Sequence, residues 1–126
     1  MIIKINNEDY KLNFGFDFLA TLNALYYVKV NGVEFNNGLN MALSGLVDDD
    51  PEALVKIIMS AVSTSDRKPS KVQIQDYIIQ EAEEREDGLE SLTKEFLEEV
   101  KKQPLLKAKV KKLFKQIAEA EAKENN

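Results

Sequence analysis

The side chains best equipped for chemistry in this 126-residue chain are its 22 carboxylates, set against 17 lysines and arginines. Three acids stand together at Asp48, Asp49 and Asp50, just ahead of Pro51 and Glu52. Clustered carboxylates attract hard cations, but a calcium loop of the EF-hand kind needs alternating ligands, a central glycine and a glutamate in twelfth place. None of these follows here. Asp50 before Pro51 instead suits a helix N-cap with proline in the first helical position. Neighbouring acids such as Glu83 and Glu84, or Glu98 and Glu99, point about 100° apart on a helix and lack the desolvated, paired setting that acid catalysis requires. Histidine and cysteine are absent, which removes the commonest general base, thiolate nucleophiles and disulfides. Gly15, Gly32, Gly38, Gly45 and Gly88 are isolated and form neither a P-loop nor a dinucleotide fingerprint. The chain is therefore expected to be no enzyme, with no catalytic residues, no cofactor and no metal site. A hydrolase built from acids alone is the most distant alternative.

The charge balance narrows the partners. A net charge of −5 and a pI near 4.9 do not suit a nucleic-acid binder, whose domain is usually basic. The charge is nevertheless uneven: residues 81–99 carry nine acids against Arg85 and Lys94, and residues 101–115 carry seven lysines and no acid. That lysine run is either a patch for phosphates or an acidic partner, or the solvated face of a helix beside an acidic one. The second reading is favoured, because the lysines spread around the helix with no arginine or interleaved aromatic. No stretch approaches the roughly 18 apolar residues of a membrane span, and the start "MIIKINNEDY" lacks signal-peptide order. A cytosolic protein is expected.

Positioning these groups falls to a small set of elements. At this length one domain is expected over residues 1–126, with about two thirds of the unfolded surface buried. "IIKIN" and "YKLNF" alternate around "NNED", which predicts a β-hairpin. "FDFLATLNALYY" carries Phe18, Leu19, Leu22, Leu25 and Tyr26 at helical spacing. Val28 and Val30, then Asn31-Gly32, then Val33 and Phe35 predict a second short hairpin, completing a unit of residues 1–35. A helical body over residues 38–103 follows: a helix near 39–47, another from Pro51, a third over 71–84 with the capping box Ser70 to Gln73, and a fourth opened by Asp87 to Glu90. Pro104 breaks the pattern, and residues 104–126 form a lysine-rich amphipathic helix whose polar end "EAEAKENN" should fray. The fold class is α+β, predominantly α, with an N-terminal β-hairpin followed by a bundle of about five helices.

Two helices carry more apolar surface than one small core obviously needs. In the helix from Pro51, apolar residues sweep roughly 240° of the circumference, whereas a surface helix needs a stripe a little over 100° wide. Leu54 and Ile58 lie on one line; Val55, Met59 and Val62 lie on another about 100° round. Either this helix is a central strut, or one stripe is held for a partner or a second copy; the expectation carried forward is that at least one stripe is held for a partner. Leu106, Val110, Leu113 and Ile117 form a coiled-coil-like seam over about two heptads, and that seam closes the bundle, pairs with a copy of itself or receives a partner helix. These nine residues are the candidate partner-binding set.

The order of segments resembles the phage tail assembly chaperones of long-tailed phages and prophages of Gram-positive bacteria. The resemblance rests on "MIIKINNEDYKLNFGFDFLATLN", "NGVEFNNGLNMALSGLVDDDPEALVKIIMSAV", "KPSKVQIQDYI" and "LESLTKEFLEEVKKQP", and spans about residues 1–103. It implies a small protein of the host cytoplasm, absent from the mature virion, that binds the tape measure protein, keeps it soluble and helps recruit tail tube subunits. Homo-oligomers are also open, as is a longer product made by frameshifting. The runner-up is a regulatory or adaptor module that uses its lysine-rich last helix on nucleic acid or an acidic protein.

Overall fold

The computed structural model describes residues 1–124 of the chain. Helix takes up 60% and strand 11% of the chain, so the predominantly α, α+β class holds.

Strands β1 (Ile2–Ile5) and β2 (Glu8–Lys11) pair antiparallel, with Ile3 opposite Tyr10 and Ile5 opposite Glu8. Asn6 and Asn7 form the two-residue turn at φ 53° and 65°, the left-handed conformation that a primed hairpin turn needs and asparagine tolerates. Alternation then delivers Ile3, Ile5, Tyr10 and Leu12 to the core. The hairpin is tied down where the Asn13 N–H donates to the Ala61 carbonyl at 2.9 Å.

Helix α1 (Phe16–Leu25) buries Phe18 and Leu22, and Phe14 meets the Phe18 ring edge-on at 5.1 Å. Strands β3 (Val28–Val30) and β4 (Val33–Phe35) then form the second hairpin, turned at Asn31 and Gly32 with φ of 52° and 80°. Helix α2 (Gly38–Val47) returns across α1. The approach is close at Gly38: a Cβ there would stand 2.7 Å from the Leu22 carbonyl oxygen, and the Gly38 N–H donates to Asn23 Oδ1 at 2.9 Å.

Helix α3 (Pro51–Ala61) starts as its sequence predicts, with Asp50 Oδ1 accepting the Glu52 N–H at 3.0 Å. Helix α4 (Lys71–Glu84) carries the complete capping box: the Gln73 N–H donates to Ser70 Oγ, and Gln73 Oε1 accepts the Ser70 N–H. Helix α5 (Glu90–Lys101) is capped differently from its sequence expectation. Its N-cap is Leu89, whose own side chain makes no cap, and Asp87 Oδ1 reaches the first turn from outside, accepting from the Ser91 hydroxyl at 2.7 Å and the Ser91 N–H at 3.4 Å. Helix α6 (Lys107–Glu124) runs past the point where polar composition predicts fraying; Asn125 and Asn126 lie outside the described residues.

Helix α3 lies at the centre, in contact with α1, α2 and α4. That placement explains its wide apolar face: Ala53, Leu54, Val55, Ile57, Ile58, Ala61 and Val62 are all buried. The Leu54 and Ile58 stripe and the Val55 and Val62 positions of the other therefore serve this chain's own core, in keeping with the central-strut reading. Only half-buried Met59 keeps surface for the partner that the sequence expectation gave one stripe. Neighbours on several sides consume the circumference.

Candidate protein-interaction surface

The acidic groups that first suggest chemistry have structural employment. Asp50 caps α3. Asp49, at φ 54°, accepts a 2.6 Å hydrogen bond from the buried Thr93 hydroxyl and so links the α2–α3 turn to α5. Arg85 ties α4 to α5 through Glu95 at 3.0 Å, Glu81 at 3.2 Å and Ser91 at 3.0 Å. The hydrogen bond to Glu95 holds the guanidinium above its ordinary pKa. The hydrogen bond from Ser91 holds the Asp87 carboxyl below the usual value. Among the described residues, no three His, Cys, Asp or Glu side chains gather as a metal site, and no buried side-chain polar atom lacks a partner.

What the chain does leave open is apolar. In the β3–β4 hairpin, Val28 faces Phe35 and Val30 faces Val33, with Lys29 opposite Glu34 between them. Successive side chains alternate across a strand, so these four apolar residues share one face and the charged pair takes the other. All four keep substantial surface: their exposures are 38% for Val28, 50% for Val30, 55% for Val33 and 50% for Phe35. An isolated two-stranded hairpin is marginal in water unless its apolar face packs on something. Tyr27 at its base is also exposed, its hydroxyl donating to Glu34 at 3.1 Å.

A second open region follows α6. Leu106 and Val110 are buried, whereas Leu113 and Ile117 are half-buried. The first half of the seam thus closes the bundle against α5 and α2, and the second half keeps surface. Leu113 borders a depression with Tyr26, Met41 and Lys56, where the Lys56 ammonium sits 4.4 Å from the Tyr26 ring centre. On the opposite flank of α6, an open groove of about 670 Å³ is lined by Lys101, Lys107, Ala108, Val110, Lys111 and Phe114.

Of the nine residues expected to meet partners, Leu54, Val55, Ile58, Val62, Leu106 and Val110 lie in the core. Met59, Leu113 and Ile117 retain accessible surface. The hairpin face and Phe114 are absent from that set. The signal for the hairpin face was present in the alternation of Val28 and Val30 with Val33 and Phe35. Alternation identifies a strand but carries no sign of what its shared face packs against.

The chain matches the family model described as phage tail assembly chaperone protein, TAC, over residues 2–115. It belongs to that family. No curated protein and no solved structure matches it. The matched region extends beyond residue 103, where the resemblance seen in the sequence stopped, and takes in the first part of α6. Both the exposed hairpin and the lysine-edged groove of this tail assembly chaperone therefore fall inside the family region. None of its helices among the described residues is long and apolar enough to cross a membrane.

Proposed function

We propose that this tail assembly chaperone is non-enzymatic and acts in the host cytoplasm by binding the tape measure protein. In that role it keeps its client soluble, helps recruit tail tube subunits, and is absent from the mature virion. The observation that carries the reading is the partly exposed apolar face shared by Val28, Val30, Val33 and Phe35. Contiguous exposed apolar surface on a small protein usually marks an interaction site. A client rich in apolar surface would be shielded by it and would supply the cover the hairpin lacks. Leu113, Ile117 and Met59 are secondary contacts in this proposal, because they keep surface without leaving the bundle.

Co-expression with a candidate tape measure protein tests the reading. The wild-type chain should raise the soluble yield of that protein and co-purify with it. Val30→Lys combined with Val33→Glu, which places opposite charges across one strand pair, should melt within about 0.5 kcal/mol of the wild type as expected for exposed sites, and should lose the client. Failure of the wild-type chain to retain or solubilise the client would overturn the proposal.

A further inference from the structure

We propose that Asn31 is a site of spontaneous deamidation, and that the isoaspartate formed there opens the β3–β4 turn and disperses the apolar face beside it. Asparagine precedes glycine twice in this chain, at Asn31-Gly32 and at Asn37-Gly38, and the fold treats the two pairs in opposite ways.

The reaction needs only the backbone and water. The Gly32 nitrogen, once deprotonated, bonds to Asn31 Cγ, and the Cγ–Nδ2 bond breaks to release ammonia, closing a five-membered succinimide. Groups held on neighbouring residues react without the entropy cost of a bimolecular encounter, and glycine favours the approach because it has no side chain and takes either sign of φ. Water then opens the ring. Cleavage of the Cγ–N bond gives aspartate on the original backbone, whereas cleavage of the C–N bond leaves the chain running through Cγ as isoaspartate. One water is taken up and one ammonia is lost, with no oxidation or reduction.

Little restrains the pair at Asn31. Both residues are exposed, a Cβ on Gly32 would meet no atom within 4 Å, and the Gly32 N–H donates to no backbone carbonyl among the described residues. The hairpin is held by three residue pairs, Val28 with Phe35, Lys29 with Glu34 and Val30 with Val33, and no other element packs substantially against it. Such a unit is marginal in water and opens at low free energy, which releases Asn31 from its φ of 52° and lets Cγ reach the Gly32 nitrogen. At Asn37 the same dipeptide is locked. The Gly38 N–H already donates to Asn23 Oδ1 at 2.9 Å. Gly38 is buried at backbone contact with α1, and Asn37 Oδ1 accepts from Asn40 Nδ2 at 2.8 Å. Freeing that nitrogen requires α2 to leave α1. The turn of the first hairpin also has positive φ, but its asparagines precede Asn7 and Glu8, whose side chains crowd the attacking nitrogens.

The isoaspartate adds a methylene to the backbone of a two-residue turn, and such a turn matches strand twist only when both residues take positive φ. The loop has no slack for the extra atom, so the register of Val30 with Val33 is lost and the shared face with it. Aspartate keeps the turn, since Asp-Gly favours it as Asn-Gly does. No residue of β3 or β4 belongs to the core cluster, so the rest of the fold survives. On the chaperone reading, on which this consequence rests, a chain left without client loses its client face with age, and a bound client delays the loss by holding the hairpin closed.

The test follows the full chain in mildly alkaline buffer by peptide mass spectrometry that separates isoaspartate from aspartate, with the same chain in concentrated urea giving each asparagine its own reference rate. Folded, Asn31 should deamidate within about tenfold of its urea rate and Asn37 at least about a hundredfold below its own. Isoaspartate should be the main product at Asn31. In nuclear magnetic resonance, the contacts of Val28 with Phe35 and of Val30 with Val33 should be missing from the isoaspartate fraction and present in a fresh Asn31→Asp chain. Those of Leu54 and Ile58 should persist in both. Equal protection of the two asparagines, faster reaction at Asn37, or isoaspartate that leaves the hairpin contacts intact would overturn the inference. Co-purification separates it from the chaperone reading: fresh wild type and fresh Asn31→Asp should retain the tape measure protein, and the isoaspartate fraction should not. Equal retention by that fraction would refute the loss of the client face. Failure of fresh wild type to retain the client would sink the chaperone reading instead, and the mass and resonance data would still decide the deamidation.

Discussion

Asp50 and Gly38 show how single residues are spent on holding the fold together. The Asp50 carboxylate takes up the Glu52 N–H at the start of α3, satisfying a donor that the helix itself leaves unpaired. Gly38 lets α2 cross α1 at backbone contact, since a Cβ there would come within 2.7 Å of the Leu22 carbonyl and 2.8 Å of the Asn23 nitrogen. Gly38→Ala should therefore destabilise the chain by about 1–3 kcal/mol, measurable as a lowered urea midpoint with unchanged slope. Tyr77 supplies a pH-dependent contribution. Burial, reinforced by Glu81, pushes its phenol from 10.0 up to about 12. Below the lower value folded and unfolded chains both keep the proton. Between the two only the unfolded chain releases it, so stability falls as pH rises through that window. Tyr77→Phe should flatten the loss between about pH 9 and about pH 11 by on the order of 1 kcal/mol, once solvent screening is allowed for. Urea unfolding at the two pH values checks it.

Among the elements, α3 and the β3–β4 hairpin behave as opposites. Ile58 is fully buried and Met59 only partly, so the two neighbouring residues make a graded probe of the central helix. Ile58→Asp should cost several kcal/mol and unfold a domain of ordinary marginal stability, because an unpaired carboxylate would enter the core. Met59→Asp should cost clearly less and still give a cooperative melt. Equal loss from both would contradict the placement of α3. The hairpin is the reverse case: its apolar residues are accessible in this chain, so polar replacements there should appear in client binding and hardly in melting. The periodicity that identified each element is silent on this contrast. A stripe of leucine and isoleucine reads the same whether another helix of the chain covers it or a partner does.

At the scale of the molecule, one core cluster runs from the first hairpin through α1–α5 into the start of α6. Residues 1–124 should therefore unfold in a single transition, with circular dichroism and tyrosine fluorescence coinciding. EDTA should leave that transition unmoved, since no group of three potential metal-ligating side chains occurs among the described residues. Displacement of the melting temperature by EDTA would show a site formed in some other way. The sequence alone determined the two hairpins, the helix order and the caps of α3 and α4, because these depend on nearest neighbours: Asn31-Gly32 dictates its turn, and Ser70 with Gln73 its cap. It also determined the family resemblance, carried by the order of those same segments. Only the tertiary structure decided which apolar faces are used up. The broad face of α3 is enclosed because α1, α2 and α4 converge on it. The short face of β3–β4 stays open because no other element packs substantially against it. Burial depends on contacts distant in sequence, and residue spacing carries no record of them.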